Sequence, residues 1–521
     1  MALSSLKKGK MDESVERKLV WIIMGIGVLL RFVHYLGRGS LWADEASLAL
    51  NICKRNYLQL FQPLEYGQTA PIFFLLSTNF VTNIFGISEP TLRFLPFMAG
   101  VVSIVLFVRL ARKMLGSREI LLGLVLFVFS PQLIFYSAEF KQYSLDLLLS
   151  MVAILLGIWL YENRFGLKRS VICGLIGALL VWCSQPIIFS LFAVSILFLY
   201  YIGSQINRNR NNLTAIFRPF LSIVVCSALW LFSFMSNFFL FTRRIASPEM
   251  LHYWQEAFAP FPPTSISDIL WYPANLVHFF RDPGGFRFSA EVFRPIGGRV
   301  LSVGAFGALD GMVLFTLIAA LFCLWRSQNW KTLIITLSPI GITVVASSFH
   351  FYPFRARLIL FLVPLLYVLL AKGSYNIYTI VSSQRRSLAI VFICILLSMP
   401  VAAGTTRVFK WRRKEEIKPV INYIVRNKLE KDVIYVYHDA VRAFEFYTRD
   451  QPISFIPVSW QGDWTRYTDE LDQFKGKGRV WILFSHYRED EKKLFIDYLN
   501  RIGKQVDYYG QPGAVVYLYN L

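Results

Sequence analysis

Residues 18–50, KLVWIIMGIGVLLRFVHYLGRGSLWADEASLAL, join a long apolar run to an abrupt pair of acids. The run, about residues 19–36, is long enough to cross a hydrocarbon core of roughly 30 Å as a helix. Lys7, Lys8, Lys10, Arg17 and Lys18 precede it, and Asp44 and Glu45 follow it in LWADEASLAL, residues 41–50. The stretch after the run, RFVHYLGRGSLW, does not read as a small-residue cleavage site, so the helix is expected to be an uncleaved anchor. Lysine and arginine are retained on the cytoplasmic side, which puts the basic tail inside and the acid pair outside. Two carboxylates at the mouth of a membrane bundle mark a place where proton chemistry can meet a lipid-borne substrate.

Outward from this stretch the apolar blocks recur. Of the 521 residues, 55% are hydrophobic, 16% aromatic and only 17% charged, which defines a polytopic membrane protein. Lipid leaves unpaired backbone groups unsatisfied, so each block must be a helix. Spans are expected at 19–36, 91–110, 120–136, 144–161, 170–184, 186–203, 216–240, 300–325, 332–349, 357–371 and 387–404, about eleven in all. Residues 70–86, APIFFLLSTNFVTNIFG, are ambiguous. If they span, the basic loop RLARKMLGSRE at 109–119 falls outside; if they lie in the interface or dip and return, it falls inside, and we adopt the second reading. YENRFGLKR, SQINRNRNN, WRSQNWK and the basic ends of 372–386 then all fall inside as well.

The net charge of +21 resides mostly in these short loops, so it is read as a topology signal and not as a nucleic-acid surface. Cys53, Cys173, Cys183, Cys226, Cys323 and Cys394 are scattered without CxxC or Cys/His metal spacing and read as small core residues. After WRRKEEIK the composition changes. Residues 414–430 and EDEKKLFIDYLNRIG read as amphipathic helices, and DVIYVYHD, GRVWILFSH and AVVYLYNL as strands, the pattern of a small α/β domain with a partly parallel sheet. The expected fold is therefore mainly α: a basic tail at 1–18, a transmembrane domain at 19–404 with a first outer loop at 37–90 carrying interfacial helices and a long outer loop at 241–299, and a periplasmic α/β domain at 405–521.

This topology gathers polar side chains on the outer face. Asp44 and Glu45 follow the first span; Glu139, Lys141, Gln142, Tyr143 and Asp146 lie where SPQLIFYSAEFKQYSLD turns between helices; His350, Tyr352, Arg355 and Arg357 lie in FHFYPFRARLILFLVP; Arg93 opens the next span. Charges at membrane depth are costly and usually face a cavity or a partner. Mixed acids and bases suit the deprotonation of a hydroxyl beside an anionic leaving group. Structural readings stand beside this one. Asp44 is a good helix N-cap and Glu45 suits a helix N-terminus, Glu139 and Lys141 suit an interfacial ion pair, and Arg355 and Arg357 suit snorkelling anchors. His350 suits a hydrogen-bonded structural role equally well. Arg243, Arg244, Tyr253 and Trp254 in the long loop read as ordinary interfacial residues, and Glu65 and Tyr66 as weak candidates for a cavity lining.

The order of LWADEA, TAPIFFLL, FGISEPTLRFLPFMAGVVSIVLFVRLARKMLG and FSPQLIFYSAEFKQYSLD resembles the N-terminal half of the GT-C superfamily of membrane glycosyltransferases. The branch is the one that includes protein O-mannosyltransferases, lipid A aminoarabinose transferases and the RgtA/B/C/D-like bacterial enzymes. The likeness runs over residues 15–205 and then thins to helix count, the arginine segment and a soluble C-terminal domain. It implies a polyprenyl-phosphate-linked sugar donor entering from the outer leaflet of the cell inner membrane, and an acceptor that is a lipid, a glycan or a protein. It places the catalytic base or acceptor-orienting acid at Asp44 or Glu45 and a second acid at Glu139 or Asp146; Tyr143 and Arg93 of the outer-face set are further candidates for the cavity or the acceptor. Arg357, Arg355, Lys141 and His350 are the candidates for the donor phosphate, since cations stabilise the departing anion and guanidinium matches phosphate oxygens in a fork. The first loop has no DxD, so no divalent metal and no other cofactor is expected.

Two other classes fit a polytopic chain: a transporter or lipid flippase, which usually shows paired half-repeats with interrupted helices, and a non-catalytic envelope assembly protein. No such repeat is visible, and an assembly protein needs no acid–base–phosphate set. The enzyme reading requires Asp44 or Glu45, Glu139 and the basic group at 350–357 to share one cavity.

Overall fold

A computed structural model describes residues 12–37, 39–208, 213–242, 252–286, 290–382, 385–409, 414–458 and 464–521. Arg243, Arg244 and most of the basic tail lie outside the described residues. The chain divides into two compact units. One comprises Met1–Leu36, Ala70–Phe74 and Arg93–Lys410; the other comprises Gly37–Thr69, Leu75–Leu92 and Trp411–Leu521.

The first unit is a bundle. Nine helices among the described residues are long and apolar enough to cross a membrane: Glu13–Gly37, Glu89–Arg112, Tyr143–Glu162, Ile187–Asn207, Ile216–Phe241, Gly307–Arg326, Trp330–Ser348, Ala356–Val381 and Arg386–Val408. The protein is a multi-pass membrane protein. Two of the eleven expected spans are shorter. The one expected at 170–184 is the 17-residue helix Leu167–Cys183. The one expected at 120–136 is not a single helix: Ser117–Phe129 stops at Ser130, and Pro131–Tyr136 starts afresh. Pro131 has no N–H to donate and disfavours helical backbone at the residue before it, so Ser130 leaves the helical region and its Oγ accepts from Leu133 N at 3.4 Å. The break strands carbonyls at the end of the first piece. The buried Arg31 guanidinium donates to two of them, Phe127 O and Val128 O, both at 3.4 Å. The ambiguous segment forms Ile72–Phe85, 14 residues. At 1.5 Å per residue it reaches roughly 21 Å, short of the hydrocarbon core.

Several loops assigned inside by their basic residues meet through ion pairs at one end of the bundle. Glu162 accepts from Lys113 at 2.6 Å and from Lys331 at 3.1 Å, and Glu119 accepts from Lys372 at 3.0 Å. Helices approach closely where glycine leaves room. A Cβ on Gly373 would collide with the carbonyl of Thr316, and one on Gly404 with the carbonyl of Phe129, an arrangement that membrane helices use widely.

The second unit is built on a five-stranded sheet: β1 (Val433–Val436), β2 (Ile456–Pro457), β3 (Arg479–Ser485), β4 (Lys504–Gln511) and β5 (Ala514–Asn520), in the order β2-β1-β3-β5-β4. The β2-β1-β3 part is parallel and the β3-β5-β4 part antiparallel. β3 is central and buried over all but its first residue, which explains its unbroken apolar reading. The helix Ile417–Asn427 buries Ile417, Val420, Ile421 and Ile424, one stripe at helical spacing, each side chain contributing about 1.5–3 kcal/mol. β2 and β4 escape a reading by hydrophobic pattern. The first is two residues long and the second is an edge strand of mostly polar residues, exposed or half-buried and none of them buried.

Gly373→Val should force the helices Ala356–Val381 and Gly307–Arg326 apart. We expect a loss of about 1–3 kcal/mol of stability, read as a lower midpoint of thermal unfolding of the purified protein in detergent.

Candidate active site

The acid pair lies in the second unit on the helix Ala43–Lys54. The N-cap position is Trp42, whose side chain makes no cap bond, so Asp44 and Glu45 are the second and third residues of the first turn and neither is the N-cap. Carboxylates there are favoured by the partial positive charge of the helix end. Glu45 is fully buried, whereas Asp44 is partly exposed and accepts from Gln68 Nε2 at 3.1 Å.

The first amide of the helix is covered by residue 415. The Ala43 amide donates to Glu415 Oε2 at 3.0 Å, and Glu415 Oε1 lies 2.5 Å from His486 Nδ1. Around this point Leu41 N donates to the Tyr447 hydroxyl at 2.6 Å, and Lys418 N donates to Ser40 Oγ at 3.1 Å. Lys414 Nζ stands 3.7 Å from the centre of the Trp42 ring. Farther along, Lys54 pairs with Glu445 at 3.5 Å, and Arg442 lies 4.2 Å from the Tyr66 ring.

In the first unit, a second polar group forms where the sequence places residues 136–146 and 350–357. Glu139, Asp282, Tyr143 and Arg357 all lie within electrostatic reach of the Tyr136 hydroxyl. Glu139 and Lys141 are buried, and the Lys141 amide donates to Glu139 O at 2.7 Å. The Arg357 guanidinium is held by aromatic faces, 5.7 Å from the centre of Tyr143 and 5.9 Å from that of Trp254. The preceding Ala356 has φ +45°, an uncommon backbone state for a residue with a Cβ. Asp146 is buried with Tyr352 in electrostatic reach, and its Oδ1 has no hydrogen-bond partner among the described residues.

Tyr143 and Glu162 are the two ends of one 20-residue helix, roughly 30 Å long. The acid–arginine group therefore sits at the other end of the bundle from the Lys113–Glu162–Lys331 pairs.

The remaining candidates are placed differently. Arg355 makes an exposed 3.4 Å pair with Glu256, and His350 is exposed, its ring 4.8 Å from Phe258. Arg93 is buried close to Tyr35. Glu65 pairs with Arg55 at 3.3 Å. Trp254, which reads as an ordinary interfacial residue, packs against Arg357. Tyr136, Asp282, Gln68, Glu415 and His486 carry no signal in the sequence that sets them apart. Arg31 and His34 do, as ionisable residues inside an apolar run. Both are buried. Among the described residues no three His, Cys, Asp or Glu side chains are grouped to hold a metal ion.

A family model described as dolichyl-phosphate-mannose-protein mannosyltransferase matches residues 69–234. No curated protein sequence matches the chain. Among solved structures, the archaeal oligosaccharyltransferase AglB from Archaeoglobus fulgidus, in complex with an inhibitory peptide and a dolichol-phosphate, aligns with TM-score 0.52 and 12% identity over 96% of this chain and 74% of that one. Its apo form gives TM-score 0.50 at 12% identity over 95% and 69%. ArnT from Cupriavidus metallidurans, bound to undecaprenyl phosphate, gives TM-score 0.49 at 12% identity over 96% and 97%. The fold is that of the GT-C membrane glycosyltransferases, as the motif order implies.

The His486 ring supplies a pH test. The Glu415 carboxylate holds its pKa above the usual 6.5, against the opposing effect of burial; Asp439 adds to the rise and Lys414 subtracts from it. A raised folded pKa gives stability that is fully present below about 6.5 and is lost as pH climbs through the folded value. The thermal stability of wild type over His486→Gln should therefore shrink as the buffer is taken from pH 6 to pH 9, and a difference that stays constant contradicts the pairing.

Proposed function

We propose that the protein transfers a sugar from a polyprenyl-phosphate-linked donor to an acceptor hydroxyl, with inversion at the anomeric carbon, on the periplasmic face of the inner membrane. The observation that carries this reading is the buried Glu139 with Arg357 clamped between Tyr143 and Trp254, at the bundle end away from the basic loops. The family-model match over residues 69–234 supports it, as does the shared fold with an oligosaccharyltransferase whose structure holds a dolichol-phosphate.

In the proposed reaction Asp44 takes the proton of the acceptor hydroxyl. The oxygen attacks the anomeric carbon, and the bond from that carbon to the phosphate oxygen breaks with its electron pair going to the phosphate. Asp44 is favoured over Glu45 because it is the more exposed of the two. Arg357 and Lys141 neutralise the leaving phosphate, and Glu139 or Asp146 orients the acceptor or the sugar. Tyr143 belongs to the same set, Arg355 and His350 are peripheral to it, and Arg93 is a candidate for the acceptor side of the cavity from the order of motifs alone. Phosphate neutralisation by these cations requires no divalent metal. By the positive-inside bias of the basic residues we assign the N-terminal tail to the cytoplasm and the C-terminal domain to the periplasm.

General-base catalysis contributes typically 10²–10⁴-fold. Asp44→Asn should lower transfer from a radiolabelled polyprenyl-phosphate sugar by a factor of that order, and wild-type turnover by this variant removes Asp44 from the chemistry. Arg357→Ala should weaken binding of polyprenyl phosphate by roughly 10- to 100-fold, the value of one charge-assisted hydrogen bond. Unchanged affinity in a direct binding titration contradicts the phosphate role.

A further inference from the structure

We propose that Glu415 is a positioning residue for the acid pair: its carboxylate covers the first amide of the helix Ala43–Lys54, one that an N-cap side chain does not reach, with His486 holding that carboxylate in place. This rests on the reading of Asp44 as the base.

A helix begins with amides that have no partner inside it, and the residue before the first turn normally covers one of them with a side-chain oxygen. Here that residue is Trp42, which has no acceptor, and the next three are Ala43, Asp44 and Glu45. The first of these amides, Ala43 N, which the N-cap side chain does not normally reach, donates to Glu415, 372 residues away in sequence, at 3.0 Å.

The donor of this cap is itself anchored. The amide of Glu416 donates to Pro512 O at 2.8 Å, and Gly513, at φ +71°, leaves space that a Cβ would deny to the Lys414 carbonyl. Residues 414–416 are thus fastened to the turn between β4 and β5. His486, just past β3, takes the second carboxylate oxygen. The ring also faces Asp439 and Lys414 and lies 5.9 Å from the Trp42 ring. The Glu415 side chain is almost wholly buried, so its geometry is set by these partners and not by solvent. Asp44 directly follows the capped amide and shares its turn. A change of a few tenths of an ångström in that turn moves the carboxylate that must meet the acceptor proton, and such shifts are costly for catalysis. The C-terminal domain in this way contributes to the alignment of a base it does not itself carry.

The test uses the full chain in lipid nanodiscs. In Glu415→Ala, hydrogen–deuterium exchange at amides 43–46 should quicken by about 2- to 30-fold, the equivalent of a lost N-cap, while peptides over β1 and β3 stay protected. Transfer from a polyprenyl-phosphate sugar should lose kcat with KM for the donor unchanged. Glu415→Gln, whose amide oxygen can still accept from Ala43 N, should recover most of both.

Wild-type exchange at 43–46 in the alanine variant overturns the proposal, as does faster exchange spread through the strands, or faster exchange at 43–46 with unchanged kcat. Should the alanine variant fail to fold, His486→Gln takes its place: a smaller rise confined to 43–46 is expected, and no rise is a refutation. If Asp44→Asn keeps wild-type turnover, the assignment of the base fails. The exchange result decides the capping role separately.

Discussion

A hydrocarbon core offers no hydrogen bonds to the chain, and most of the architecture follows from this. Backbone groups must pair within each segment, so apolar blocks become helices and the polar side chains collect at their ends. Where the chain breaks that rule, at Ser130–Pro131, the stranded carbonyls of Phe127 and Val128 receive the guanidinium of Arg31 from another helix. The same break places Pro131–Tyr136 as a short separate helix, and its last residue, Tyr136, stands among Glu139, Asp282, Tyr143 and Arg357. The break at Pro131 thus brings Tyr136 to the polar group at that end of the bundle.

The second unit solves a different problem. The helix Ala43–Lys54 concentrates two carboxylates in its first turn but brings no capping side chain. Residues from the far end of the chain supply what it lacks: Glu415 for the amide of Ala43, Tyr447 for that of Leu41, Lys414 for the face of Trp42. Residues 37–69 and 75–92 therefore group with 411–521 as one compact unit, although a division by composition would assign the first outer loop to the transmembrane domain.

Patterns of long range in hydropathy were legible. The spans, the mixed sheet domain and the basic loops that meet through Glu162 and Glu119 all carry a signal that sums over many residues. The acids and arginines near helix ends stand out in the sequence because charge is costly at membrane depth. Their individual roles were not. Arg355 and Arg357 sit two residues apart and look alike in sequence, yet one pairs with Glu256 at the surface and the other lies within cation–π distance of Tyr143 and Trp254. Asp282 and Tyr136 carry nothing in their local sequence to mark them, and the helix break at Ser130 falls inside the single span expected at 120–136, although a Ser–Pro step marks it.

By itself the sequence determined that this chain crosses a membrane many times, that it ends in a small α/β domain, and that an acid pair follows the first span. Each of these depends on local periodicity or on summed hydropathy, which survive without knowledge of neighbours in space. Tertiary structure alone decided which arginine is held by aromatic rings, which carboxylate is buried, and that Glu415 caps the helix of Asp44. Those outcomes depend on contacts between residues tens to hundreds of positions apart, and a side chain's environment, unlike its hydropathy, is not a property of the side chain.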